Sequence, residues 1–92
     1  MNVTIHLLGL FKEYIGTDTA DLELPEGAVY GDLLAEIGRR FGESLPKSLW
    51  DSETLEFKPG ILCVGEGRDL ERKDQPLKPG ESISIVVHMA GG

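Results

Sequence analysis

A chain of 92 residues is shorter than a typical domain, so residues 1–92 are expected to form one domain around one core. Nine basic against sixteen acidic residues give a net charge of −7 with 40% apolar content, which excludes a disordered acidic tail and disfavours nucleic acid, leaving a protein with a basic face as the expected partner. The longest apolar run, Ile61-Leu62-Cys63-Val64, is far short of the roughly 20 residues that cross a bilayer, and the start of the chain carries no basic-then-apolar secretory pattern, so neither membrane nor export is expected.

Asn2 to Leu8 alternates Val3, Ile5 and Leu7 with Asn2, Thr4 and His6, the period of a half-buried strand. Past Gly9, the residues Leu10, Phe11, Tyr14 and Ile15 stand at helical intervals, and Gly16 can take the left-handed conformation that ends a turn of helix. After the polar turn Thr17-Asp18-Thr19, the segment Ala20-Asp21-Leu22-Glu23-Leu24 alternates again and is stopped by Pro25-Glu26-Gly27. Tyr30 to Phe41 is the one long helix, because Tyr30, Leu33, Leu34, Ile37 and Phe41 make a single apolar stripe. Asp32 and Glu36 near its start and Arg39 and Arg40 near its end suit the macrodipole, and Gly42 can close it. Tyr30 and Gly31 are poor N-caps, so the start is defined only if Asp32 serves.

Glu43 to Gly60 reads as a partly structured insertion that lays some of Leu45, Leu49, Trp50, Leu55 and Phe57 on the core, between the breakers Pro46 and Pro59. Ile61 to Val64 is a buried strand by composition, followed by the turn Gly65-Glu66-Gly67. Glu71 to Lys78 is polar, and Lys78-Pro79-Gly80-Glu81 is a tight turn into a final strand from Ser82 to Met89. Strand pairs gathered around one helix indicate an α+β fold, a small mixed sheet covered by that helix. If the first and last strands are adjacent at its centre they run parallel, since the segment between them is long enough for the crossover.

The terminal Ala90-Gly91-Gly92 carries the strongest chemical signal. Without Cβ atoms, Gly91 and Gly92 can extend through a channel too narrow for other residues. The chemistry this serves is at the terminal carboxyl carbon. An α-carboxylate, with a pKa of about 3.5, is an anion and a poor electrophile at neutral pH. It needs an ATP-dependent partner to form an acyl-adenylate that sulfur, a thiol or an amine then attacks, so such a tail is a substrate carried on a protein.

Other candidates are weaker. The lone Cys63 cannot form an intramolecular disulfide, which fits the cytoplasm, and it reads as core packing with no base nearby to lower its pKa. His6 and His88 fall on the polar phase of their strands and can share a face, but no third ligand stands at metal-binding spacing, so no metal is expected. Gly65-Glu66-Gly67 is a turn and lacks the Lys-Ser/Thr of a phosphate loop. Asp18, Asp21, Glu23, Glu26, Asp32, Glu36 and the Glu66 to Asp74 run read as solvated surface. No nucleophile–base pairing or carboxylate pair is visible, so the chain by itself is not expected to be an enzyme.

With these residues in order, the whole chain resembles ubiquitin-like β-grasp proteins, and more narrowly the molybdopterin synthase small subunit and its sulfur-carrier relatives. The resemblance rests on the alternating first strand, Leu10-Phe11-Lys12-Glu13-Tyr14-Ile15-Gly16, Leu24-Pro25-Glu26-Gly27 leading into Asp32-Leu33-Leu34, Lys58-Pro59-Gly60-Ile61, Gly67-Arg68-Asp69-Leu70, Pro76-Leu77-Lys78-Pro79-Gly80-Glu81 and the closing Gly91-Gly92. It departs from the common pattern at Gly65-Glu66-Gly67, where relatives often have Asn-Gly, and at Val87-His88-Met89-Ala90, where proline often precedes the glycines. The insertion is similar to that of longer archaeal-type members, some of which are attached to lysines.

The resemblance implies a β-grasp fold with parallel, adjacent first and last strands, and a tail over residues 90–92. It implies that an E1-like adenylyltransferase uses ATP to activate Gly92, that a sulfur donor replaces AMP, and that the resulting thiocarboxylate donates sulfur in molybdenum or tungsten cofactor synthesis. The recipient would be the molybdopterin synthase large subunit, with Met89, Ala90 and Gly91 threading into the partners. No cofactor would be bound by the chain itself. The alternatives are a modifier joined to lysines through Gly92, a carrier for another pathway, and a plain interaction module.

Overall fold

The computed structural model describes residues 1–87. Its elements are β1 (Asn2–Leu7), α1 (Leu10–Ile15), β2 (Thr19–Glu23), α2 (Tyr30–Phe41), a 3-10 turn (Gly42–Ser44), β3 (Trp50–Asp51), β4 (Glu56–Phe57), β5 (Ile61–Gly65), β6 (Arg68–Leu70) and β7 (Ser82–Val87). Five strands form one sheet in the order β2-β1-β7-β5-β6, and β3 and β4 form a separate hairpin. β1 and β7 are parallel neighbours, with Ile5 opposite Ile83 and Leu7 opposite Ile85. This is the expected α+β, β-grasp arrangement. Alternation along β1 and β7 sends Val3, Ile5, Leu7, Ile83 and Ile85 to one face, where they are buried with Leu33, Leu34 and Ile37 of the α2 stripe. Each such side chain contributes roughly 1.5–3 kcal/mol by leaving water.

The start of α2 is capped from the inside and from a distance. Val29 holds the N-cap position, and its N–H donates to Asp32 Oδ2 at 2.9 Å. The next two amides, of Tyr30 and Gly31, donate to the carbonyls of Gln75 at 2.8 Å and Lys73 at 2.9 Å. Tertiary backbone contacts thus satisfy donors that a helix start leaves open. At the other end Gly42 closes the helix as expected, its amide donating to the Gly38 carbonyl, though not in a left-handed conformation. It stays in the right-handed region at φ −55°, and the chain tightens into the 3-10 turn.

The insertion is more ordered than its sequence suggests. Leu45, Leu49 and Trp50 are buried, and Trp50 meets Phe57 edge-on at 4.9 Å while Phe57 meets Phe11 at 5.6 Å. Leu55 is the exception among the five apolar residues, 39% exposed at the hairpin tip.

Two expectations are corrected. The final part of the chain holds an additional strand, β6, which pairs with β5 so that Cys63 faces Leu70. Consequently the Glu66 to Asp74 run is not all solvated surface: Leu70 is buried and Arg68 half-buried. Glu81, expected to close a tight turn, is fully buried. Its Oε1 accepts from Arg68 Nη2 at 2.7 Å and the Lys78 amide at 3.0 Å, and its Oε2 from the Glu66 amide at 3.0 Å and Arg68 Nε at 3.3 Å. Burial by itself would raise the Glu81 carboxyl pKa, but the Arg68 guanidinium and the two amides outweigh it and hold the group below its ordinary value.

Candidate functional site

The residues expected to carry the chemistry, Gly92 with Met89, Ala90 and Gly91, lie outside the described residues, as does His88. The structure describes the root from which they continue. β7 is the central strand of the sheet, and Val87, the last residue described, pairs with Ile61 at the very start of β5. On the other side β1 pairs no further than Leu7 opposite Ile85. Gly9, at φ 59°, turns the chain into α1, and Gly60, at φ 94°, turns it into β5. Both are left-handed conformations that other residues rarely hold. Both neighbours of β7 therefore part from it at the same margin of the sheet.

That margin is apolar. Leu8, Gly9, Leu10, Val86 and Val87 line a shallow groove of about 290 Å³. Leu8, Leu10 and Tyr14 are each nearly half exposed, at 48%, 48% and 47%. On the sheet face away from α2, Leu62 stands opposite Val86 and extends this surface. The sequence reading counted Leu10, Phe11, Tyr14 and Ile15 as one helical apolar set, yet only Phe11 is fully buried. The available signal was excess: a six-residue helix cannot turn that many apolar side chains, with Leu8 beside them, to one core. A second hollow, about 470 Å³, is lined by Tyr30, Phe57, Lys58, Pro59, Ile61 and Cys63 among others.

Cys63 is core packing. It is 3% exposed, and burial pushes its thiol up to about 11, only partly offset by the neighbouring Tyr30. A thiol held protonated in this way is a poor nucleophile. Burial likewise raises the Tyr30 hydroxyl. His6 stands opposite Ser84 on the sheet face away from the core. Among the described residues no group of three or more His, Cys, Asp or Glu side chains could hold a metal, and no helix is long and apolar enough to cross a membrane. At this margin the described residues present the central strand within an apolar surface.

The profile of the ThiS family matches residues 5–92. Among solved structures, the fold is similar to that of SAMP1 from Haloferax volcanii, with a TM-score of 0.81, 16% identity and all of both chains covered. It is similar also to a putative molybdopterin converting factor, subunit 1, from Pyrococcus furiosus, with a TM-score of 0.73, 24% identity, and 97% of this chain and 99% of that one covered. Urm1 from Trypanosoma brucei follows at a TM-score of 0.66 and 19% identity, with 99% and 95% covered. No curated protein sequence matches the chain significantly.

Proposed function

The chain belongs to the ThiS family of ubiquitin-like sulfur-carrier proteins, and from that premise we propose that it carries sulfur as a thiocarboxylate on Gly92 and donates it in molybdopterin synthesis. The observation that supports this most is the delivery of the chain end. The central strand β7 is paired with β1 as far as Ile85 and with β5 as far as Val87, the last residue described, and five further residues of the sequence end in Gly91-Gly92. Fully extended, five residues reach roughly 17 Å, enough to carry a carboxyl group away from the core and into a partner's active site.

The chemistry is divided between proteins. A Gly92 carboxylate oxygen attacks the α-phosphorus of ATP on an activating enzyme, and pyrophosphate leaves. Sulfide, HS⁻, supplied by a sulfur donor then attacks the acyl carbon and expels AMP, and loss of its proton leaves C(=O)S⁻. This sulfur is the nucleophile toward a precursor held by the large subunit, and hydrolysis returns the carboxylate. This chain supplies the acyl group and the docking surface around Leu8, Leu10 and Tyr14, while the ATP is used by its partner. A second reading, amide formation between Gly92 and protein lysines, shares the first step. The full-length match to the Haloferax volcanii SAMP1 fold, insertion included, favours keeping it in view.

The test is the intact mass of the protein from its native host, with alkylation of a Cys63→Ser variant to separate a thiocarboxylate from methionine oxidation. A species that alkylates at Gly92 is the expected result, and deletion of Gly92 should abolish it without changing the melting temperature. Unmodified protein accompanied by isopeptide-linked adducts would replace this reading with the modifier.

A further inference from the structure

We propose that the hollow between α2 and the β3–β4 hairpin is a binding site for a free α-amino acid with an aliphatic side chain, an inference independent of the sulfur-carrier reading. The hollow measures about 380 Å³ and is lined by Gly38, Gly42, Leu45, Trp50 and Leu55, with the exposed Glu43 and Lys47 at its rim. Its central group is the Trp50 indole. Trp50 is 3% exposed, yet its Nε1–H meets no acceptor among the described residues. Buried donors are otherwise almost always paired, so this N–H marks a place for an acceptor.

The edge of the indole that carries Nε1 lies along α2. A Cβ at Gly38 would stand 3.0 Å from Trp50 Cζ2 and from Leu55 Cδ2, so the close approach of the ring explains the glycine there. Gly42, one turn on and on the same helix face, has no such reason. Its φ of −55° suits any residue, and the nearest atom to a Cβ there is Trp50 Nε1 at 3.7 Å, an ordinary contact. Alanine would fit and would favour the helix, whereas glycine leaves open the space beside the indole N–H. Leu55 is held at φ 56°, a strained conformation for a residue with a Cβ, and its Cδ2 reaches Gly38. The rim carries one charge of each sign, and neither Glu43 nor Lys47 forms an ion pair among the described residues. A simple anion would be repelled by Glu43 and a simple cation by Lys47. A zwitterion satisfies both. Its carboxylate accepts from the indole N–H and from Lys47, its ammonium donates to Glu43, and its aliphatic side chain rests on Leu45 and Leu55.

The sole tryptophan supplies its own reporter. In nitrogen–proton correlation spectra of the full chain, L-leucine should move the single indole N–H signal downfield to saturation. Isovalerate, which lacks the ammonium, and isoamylamine, which lacks the carboxylate, should each bind about tenfold more weakly, the loss of one charged hydrogen bond. Gly42→Ala sets a methyl group beside Nε1 and should weaken leucine binding by about the same factor with the fold kept. Lys47→Gln should weaken leucine and isovalerate but not isoamylamine, and it decides the matter if Gly42→Ala does not fold. An indole signal that leucine leaves unmoved would overturn the proposal, since the N–H would then meet no more than a trapped water. Leucine binding unchanged in both variants would overturn it as well. Isovalerate binding as tightly as leucine would overturn the amino-acid assignment in favour of a plain carboxylate.

Discussion

At the scale of single residues the most consequential contact is the one between Glu81 and Arg68. A buried carboxylate is tolerated only when its lone pairs are met, and here a guanidinium and two backbone amides meet them. The sheet is built closely around the pair: a Cβ at Gly65 would collide with the Glu81 carboxylate. Because the folded carboxyl titrates below its ordinary value, its stabilisation is present above about pH 4.3 and is lost as pH falls through the lowered folded value. Arg68→Ala should remove roughly 2 kcal/mol at neutral pH, less than for a wholly buried pair because Arg68 is partly exposed. It should also weaken this residue's pH dependence, since the carboxyl then keeps only the Lys78 and Glu66 amides to offset its burial. Thermal melts of both proteins between about pH 3 and pH 7 check this, and parallel curves would count against the assignment. Glu81 and Arg68 were individually unremarkable in the sequence. Thirteen residues apart, they meet only because the β5–β6 hairpin folds back beside the start of β7.

At the scale of elements, strength of pattern decided what could be read. The α2 stripe spans three turns, and Tyr30 to Phe41 was legible from it although no residue in the sequence pinned its start. Its cap was legible only in part, because Asp32 could be nominated while the Lys73 and Gln75 carbonyls come from a segment more than forty residues away. Asp32→Ala should leave the Val29 amide without its acceptor and cost about 1 kcal/mol, a fall in melting temperature of roughly 4–8 °C, measurable by circular dichroism. No fall would mean that the distant carbonyls suffice. The β3–β4 hairpin and β6 were illegible for a different reason. Strands of two or three residues carry too little alternation to be recognised, and Arg68-Asp69 hides β6 within a charged run. Their pairing is dictated by what they pack on: the Phe11, Phe57 and Trp50 rings for the hairpin, and Cys63 opposite Leu70 for β6.

At the scale of the whole molecule, a net charge of −7 accompanies a small exposed apolar surface around Leu8, Leu10 and Tyr14. Apolar contact supplies affinity once water is excluded, while the charge attracts a basic partner from a distance. With a Debye length of about 10 Å at 0.1 M salt, association with the activating enzyme should slow steeply as ionic strength rises. Stopped-flow measurements from roughly 50 to 500 mM salt test this; a flat rate would place recognition in the apolar contacts alone.

The sequence by itself determined the strand periods of β1, β2 and β7, the stripe of α2, that the first and last strands run parallel if they are neighbours, and the candidate carrier end at Gly91-Gly92. These are local regularities, or follow from chain order, and so they survive in one dimension. Only the tertiary structure decided which apolar residues stay outside, where Glu81 finds its cation, and that β1 and β5 both leave β7 at one margin. Those facts depend on which distant segments share a neighbourhood, and burial, charge pairing and ladder ends are properties of neighbourhoods.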